Sequence, residues 1–137
     1  MKGDKITYTS GYKYQLYHNY SLQTQIAGYD VDTEYIKLTP EGMLTVKRGY
    51  AWDGASGPTI DTKSSMRGAL VHDALYQLLR EEKISQHERL TADAMLRDIC
   101  IEDGMFRIRA YIWYIGVRKF ALAAANAENE KKILEAP

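Results

Sequence analysis

Three pieces of this sequence carry groups that could do chemistry: the loop Trp52-Asp53-Gly54-Ala55-Ser56-Gly57-Pro58, the pair His72-Asp73, and Asp93. His72 and Asp93 are the first candidates. On a helix that turns about 100° per residue, His72 and Tyr76 fall at one border of an apolar stripe centred near Leu78, and Asp73 falls on the far side. Asp93 lies at the edge of a second stripe, beside Cys100, so antiparallel packing of the two helices would bring its carboxylate onto the His72 ring. A histidine oriented by an aspartate is the unit of general-base catalysis, because the carboxylate fixes the tautomer and stabilises the imidazolium. Asp73 then needs solvent, a partner or a cation. Asp53 and free carbonyl groups of its glycine-rich loop would complete an oxygen-only shell of the kind calcium prefers. A structural alternative stands beside this reading, in which the His-Asp pair only satisfies buried polar groups. Zinc or manganese on His72, Asp73 and Asp93 is disfavoured, since one histidine makes a poor nitrogen shell.

The elements that must position these residues are readable from periodicity. Leu70, Val71, Ala74, Leu75, Leu78 and Leu79 share one helical face, which predicts a first helix over 66–81 with Ser64 or Ser65 as N-cap. Ser85-Gln86-His87-Glu88 has the spacing of a capping box, and it opens a second helix over 86–103 with Ala92, Met95, Leu96, Ile99 and Cys100 buried and Gly104 as its stop. The short connection makes the two helices antiparallel. Ile108, Tyr111, Ile112, Ile115, Lys119 and Leu122 mark a third helix over 107–127, whose stripe, with Trp113, reads as core. Before residue 60 the texture is that of strands. Residues 35–38 and 43–46 flank the turn Thr39-Pro40-Glu41-Gly42 as a β-hairpin, and the alternation over 12–17 adds a strand to the same sheet. The expected fold is therefore α+β: a single domain over 1–137 with a small N-terminal antiparallel sheet in 1–60, three helices in 64–127 and a polar tail over 128–137.

Composition narrows the function classes. Eighteen Lys+Arg balance eighteen Asp+Glu over 137 residues, so the long-range field that would concentrate the protein on nucleic-acid phosphates or anionic lipid is missing. No apolar run is longer than about six residues, Phe120–Ala125 among them, too short for a transmembrane segment, and the first residues contain no signal peptide, so synthesis in the cytoplasm is expected. Cys100 is the single cysteine and is read as core. Asp30-Val31-Asp32-Thr33-Glu34 reads as a solvated loop, and His18 and His87 have no constellation around them. Eleven tyrosines, many before residue 51, suit either a protein-contact surface or half-buried strands.

Two resemblances add to this. The runs Gly49–Pro58, His72-Asp73-Ala74-Leu75-Tyr76, Arg89 with Ala92-Asp93, and Val117-Arg118-Lys119-Phe120 resemble an uncharacterised domain family of bacteriophages and bacteria. Residues 52–100 are similar to the secreted prokaryotic phospholipases of the A type, with an Asp-Gly loop, an H-D-x-x-Y helix and an aspartate 21 residues beyond the histidine. That second resemblance implies His72 as the base, Asp93 as its orienting partner, Tyr76 as a supporting hydrogen bond, and Asp53, Gly54 and Asp73 as a calcium site acting on a phospholipid or other ester. The first implies a phage or prophage protein made in the host cytoplasm. It leaves a non-catalytic reading open, a virion component or a host-interaction protein that contacts its partner through the Tyr-rich N-terminal part.

Overall fold

The structure, a computed structural model, describes residues 5–9, 14–52 and 63–119. Among these, seven short strands precede the helices: β1 (Tyr8–Thr9), β2 (Tyr14–Leu16), β3 (Tyr20–Gln23), β4 (Val31–Asp32), β5 (Ile36–Leu38), β6 (Met43–Val46) and β7 (Ala51–Trp52). They form two antiparallel sheets, β1-β2-β7 and β3-β6-β5-β4. The hairpin expected around Thr39–Gly42 is there, with Ile36 opposite Val46 and Leu38 opposite Leu44, all four side chains buried on one face. Gly42 closes it at φ +91°, and a Cβ there would meet the Thr24 carbonyl oxygen at 2.6 Å. The turn therefore needs glycine on both counts.

The strand expected over 12–17 is described from Tyr14 onward, and there it does not join that sheet. β2 pairs with β7, and the position beside β6 is taken by β3, with Tyr20 opposite Val46 and Leu22 opposite Leu44. The reason is a shared bend. Residues 14–23 run antiparallel to 43–52 along their length, and both turn between the sheets: the Leu16 amide donates to the Tyr50 carbonyl and the Gly49 amide to the Leu16 carbonyl, while Gly49 takes φ +96°. Beyond the bend, Tyr8, Tyr14 and Trp52 pack ring to ring at 5.6 to 5.8 Å.

Helix α1 spans Lys63–Arg80 and α2 spans Arg89–Glu102, the latter preceded by a single 3₁₀ turn, Gln86–Glu88. Ser64 and Ser65 lie inside α1 and do not cap it; Ser65 is fully buried. A third helix, α3, occupies residues 107–119. Partners on α2 descend as those on α1 ascend, from Arg67 with Asp103 to His72 and Tyr76 with Asp93, which makes the pair antiparallel. Gly104 ends α2 at φ +103°, with the Met105 amide on the Cys100 carbonyl and the Gly104 amide on that of Ile101. This is the left-handed stop expected of it.

The capping box is built differently from its sequence pattern. Ser85 Oγ accepts from the His87 amide, and the hydroxyl of Tyr29 stands where the reciprocal bond would be: it receives the Ser85 amide at 3.2 Å and donates to Glu88 Oε2 at 2.9 Å. Tyr29 thereby ties the strand layer to the start of α2. Buried side chains of both sheets and all three helices form one hydrophobic core. On α3 the buried residues are Ala110, Trp113 and Val117, whereas Ile108, Tyr111, Ile112 and Ile115 point outward. The expected assignment of that stripe to the core is corrected for these four residues. Among the described residues no helix is long and apolar enough to cross a membrane.

Candidate functional site

Asp93 is the centre of a buried polar cluster. Its position on α2 places it under α1, where the side chains of His72 and Tyr76, four residues apart, project from the same face. Asp93 is fully buried, and its Oδ1 accepts from His72 Nε2 at 2.7 Å and from the Tyr76 hydroxyl at 2.6 Å. Its Oδ2 accepts from Arg118 of α3 at 2.9 Å. The His72 and Tyr76 rings lie against each other, centroids 4.2 Å apart and 31° from parallel. Three helices thus meet on one carboxylate.

Electrostatics fixes the protonation of this cluster. Burial pushes the Asp93 carboxyl up, yet the hydrogen bonds from His72, Tyr76 and Arg118 outweigh it and hold the group below the usual carboxylate range. An ionised Asp93 can only accept. His72 Nε2 therefore carries a proton, and in the neutral ring Nδ1 is the acceptor. Burial, followed by the bond to Asp93, pushes the Tyr76 hydroxyl well above its ordinary value, so Tyr76 remains a donor. Arg89, one turn before Asp93, lowers Tyr76 slightly through its charge and donates to Gln86 Oε1.

The sequence-predicted residues divide into two groups. His72, Tyr76 and Asp93 come together as expected, with His72 buried at 7% exposure instead of sitting at a core border. Asp53 and Gly54 lie outside the described residues. Asp73 is half-buried, and its charge reaches the hydroxyl of Tyr50, which burial foremost and then Asp73 push well above the usual tyrosine range. Among the described residues no group of three or more His, Cys, Asp or Glu side chains is arranged to hold a metal ion.

Arg118 was given no role by the sequence, although it belongs to the Val117–Phe120 run that stood out there. Arg67 was not singled out at all. It is 4% exposed and donates to Asp103, Glu102 and the Tyr20 hydroxyl, on the wall of a cavity of about 480 Å³ that Lys5 and Lys63 also line. The remaining candidates are structural. Asp32 is held below its ordinary range by the Lys47 ammonium at 2.7 Å. Cys100 is fully buried, and burial pushes its thiol up to about 12. Of the described tyrosines before residue 51, Tyr20 and Tyr50 are in the core, Tyr8, Tyr14 and Tyr29 are half-buried, and Tyr17 and Tyr35 are exposed.

Residues 29–117 match the family described as protein of unknown function (DUF1353). The chain belongs to that family. The match runs from Tyr29 to the residue before Arg118, so it holds the hairpin, His72, Tyr76 and Asp93. No curated protein and no solved structure matches the chain.

Proposed function

We propose that this DUF1353 chain is a phage- or prophage-encoded hydrolase of the phospholipase A kind, in which His72 activates water against a carboxylic ester. The observation that supports this reading is the 2.7 Å contact of Asp93 with His72 Nε2, which leaves Nδ1 as the ring's acceptor. In the reaction, Nδ1 takes a proton from water as the water oxygen bonds to the ester carbonyl carbon. When the tetrahedral intermediate collapses, the carbon–oxygen bond to the leaving alcohol breaks and Nδ1 returns the proton to that oxygen. Asp93 stabilises the imidazolium in between, and Tyr76 holds Asp93 in register.

Calcium belongs to the same proposal. Asp73, Asp53 and the Gly54 carbonyl would hold it, and its chemistry would be to polarise the ester carbonyl. The charge of Asp73 acts on the hydroxyl of Tyr50, three residues before Asp53 in the sequence, which supports this grouping.

A second reading, a non-catalytic phage component, draws on Arg118. A carboxylate already answered by a guanidinium and a phenol has less charge to offer an imidazolium, and the cluster then serves to lock α1, α2 and α3 together. One experiment separates the two. In an ester-release assay with phospholipid and millimolar calcium, the parent chain is expected to turn over and His72→Asn to lose at least about 100-fold, the usual contribution of a general base. A parent chain that is inert, and whose melting temperature ignores calcium, leaves the scaffold reading.

A further inference from the structure

We propose that the outward face of α3 is a docking surface for an anionic lipid membrane, a role that holds whether or not His72 turns over an ester. The buried side of this helix is complete with Ala110, Trp113 and Val117. The opposite side carries Ile108, Tyr111, Ile112 and Ile115 at the spacing of one helical stripe, with Phe106 just before it. Phe106 is 84% exposed and Ile108 77%, which is far beyond what scattered surface apolar groups need explained. Side chains exposed to this degree project from the surface instead of lining a groove. They suit a fluid apolar phase that needs no matching shape.

Charge identifies the occupant. Residues 105–119 contain Arg107, Arg109, Arg118 and Lys119 and no acidic residue. Arg118 turns inward to Asp93, but at 100° per residue Arg107 and Arg109 fall on the two flanks of the apolar stripe and Lys119 at its C-terminal end. Arg97 adds a fourth cation beside it, 5.0 Å from the Tyr111 ring centre and paired with Asp98. An apolar stripe of Phe, Ile and Tyr bordered by Arg and Lys is the pattern of helices that lie in the plane of a membrane interface. A second copy of the chain fits less well, because two-fold pairing would set this cationic helix against itself with no carboxylate on it to answer. The chain as a whole is neutral, so the attraction is local and acts within about 10 Å at 0.1 M salt.

The test uses the full chain and vesicles of ether-linked phosphatidylglycerol or ether-linked phosphatidylcholine, which contain no carboxylic ester to cleave. Co-sedimentation is expected with phosphatidylglycerol, at least about tenfold weaker with phosphatidylcholine, and weakened by salt. The double variant Ile108→Glu/Ile112→Glu should lose at least about tenfold on phosphatidylglycerol while keeping the parent's circular dichroism and melting temperature, since both side chains are exposed and each buried isoleucine is worth about a factor of ten. His72→Asn should sediment as the parent does, and a parent chain that binds these vesicles yet releases nothing from ester-linked phospholipid removes the hydrolase reading and leaves this one standing. Equal sedimentation on both lipids, none on either, or a double variant that binds like the parent overturns the proposal. So does a parent dimer that the double variant dissolves while phosphatidylglycerol is ignored.

Discussion

Asp93→Ala is expected to be the most destabilising single truncation in the helical half, by about 3–5 kcal/mol in urea unfolding, because it strips the acceptor from three donors at once. His72 and Tyr76 would be left with buried polar atoms facing nothing, at about 1–3 kcal/mol each. Arg118 is about one-third exposed and can turn to water, so its share is small. The order of effects follows from the same geometry: Tyr76→Phe removes one of three donors and should cost about 1 kcal/mol, well below Asp93→Ala. Acid provides an independent check. The folded-state carboxyl is held below its unfolded value near 3.9, so its contribution is fully present above about pH 4 and is lost as pH falls through the folded value. The parent should therefore show an acid-side loss of stability that Asp93→Asn flattens. A variant series in which Asp93→Ala costs no more than Tyr76→Phe would mean that the carboxylate does not hold the three helices.

How far the site could be read from the sequence depended on how local each contact is. The His72–Asp93 contact was legible because it needs only two amphipathic helices and a short connection, and the helical repeat then sets which residues face each other. Arg118 was not, since its arrival on Asp93 depends on how α3 crosses the other two helices, and no periodicity encodes that. The capping box shows a subtler limit. Ser85 and Glu88 carry the right pattern, but Tyr29, 56 residues earlier than Ser85, supplies a hydroxyl between them that local sequence cannot announce.

The sheets and α3 teach the same lesson on a larger scale. Alternation at 35–38 and 43–46 had a turn between its halves, so register followed from the loop. Alternation at 12–17 had none, and the strand described within it, β2, proved to pair with β7 across the bend at Gly49. In α3 apolar residues occur on both sides, Ala110, Trp113 and Val117 on one and Ile108, Ile112 and Ile115 on the other. A stripe rule then finds a face without saying which one is covered. The larger aliphatic set looks like core by hydrophobicity alone, while the real core face relies on Trp113 with the smaller Ala110 and Val117.

Close fit is also what Gly68 provides, and Gly68→Val is expected to cost about 3 kcal/mol, the upper end for overpacking. A Cβ at this position would stand 2.8 Å from Cys100 Sγ and 3.2 Å from the Leu96 carbonyl oxygen. Neither neighbour can yield easily, because Cys100 is fully buried and the Leu96 oxygen is backbone within α2. Helix propensity alone argues the other way, since glycine in mid-helix is about 1 kcal/mol worse than alanine. The two effects can be separated. Gly68→Ala should still destabilise, by about 1 kcal/mol net, and Gly68→Ala/Cys100→Ala should recover part of that loss relative to the sum of the single variants, since the thiol is the tightest obstacle. The same wedge should reach the site: His72 is one turn beyond Gly68 on α1 and Asp93 two turns before Cys100 on α2, so prising the helices apart there draws the carboxylate away from the ring. A Gly68→Ala protein that is more stable than the parent in urea would mean that propensity wins and that α1 and α2 do not approach this closely.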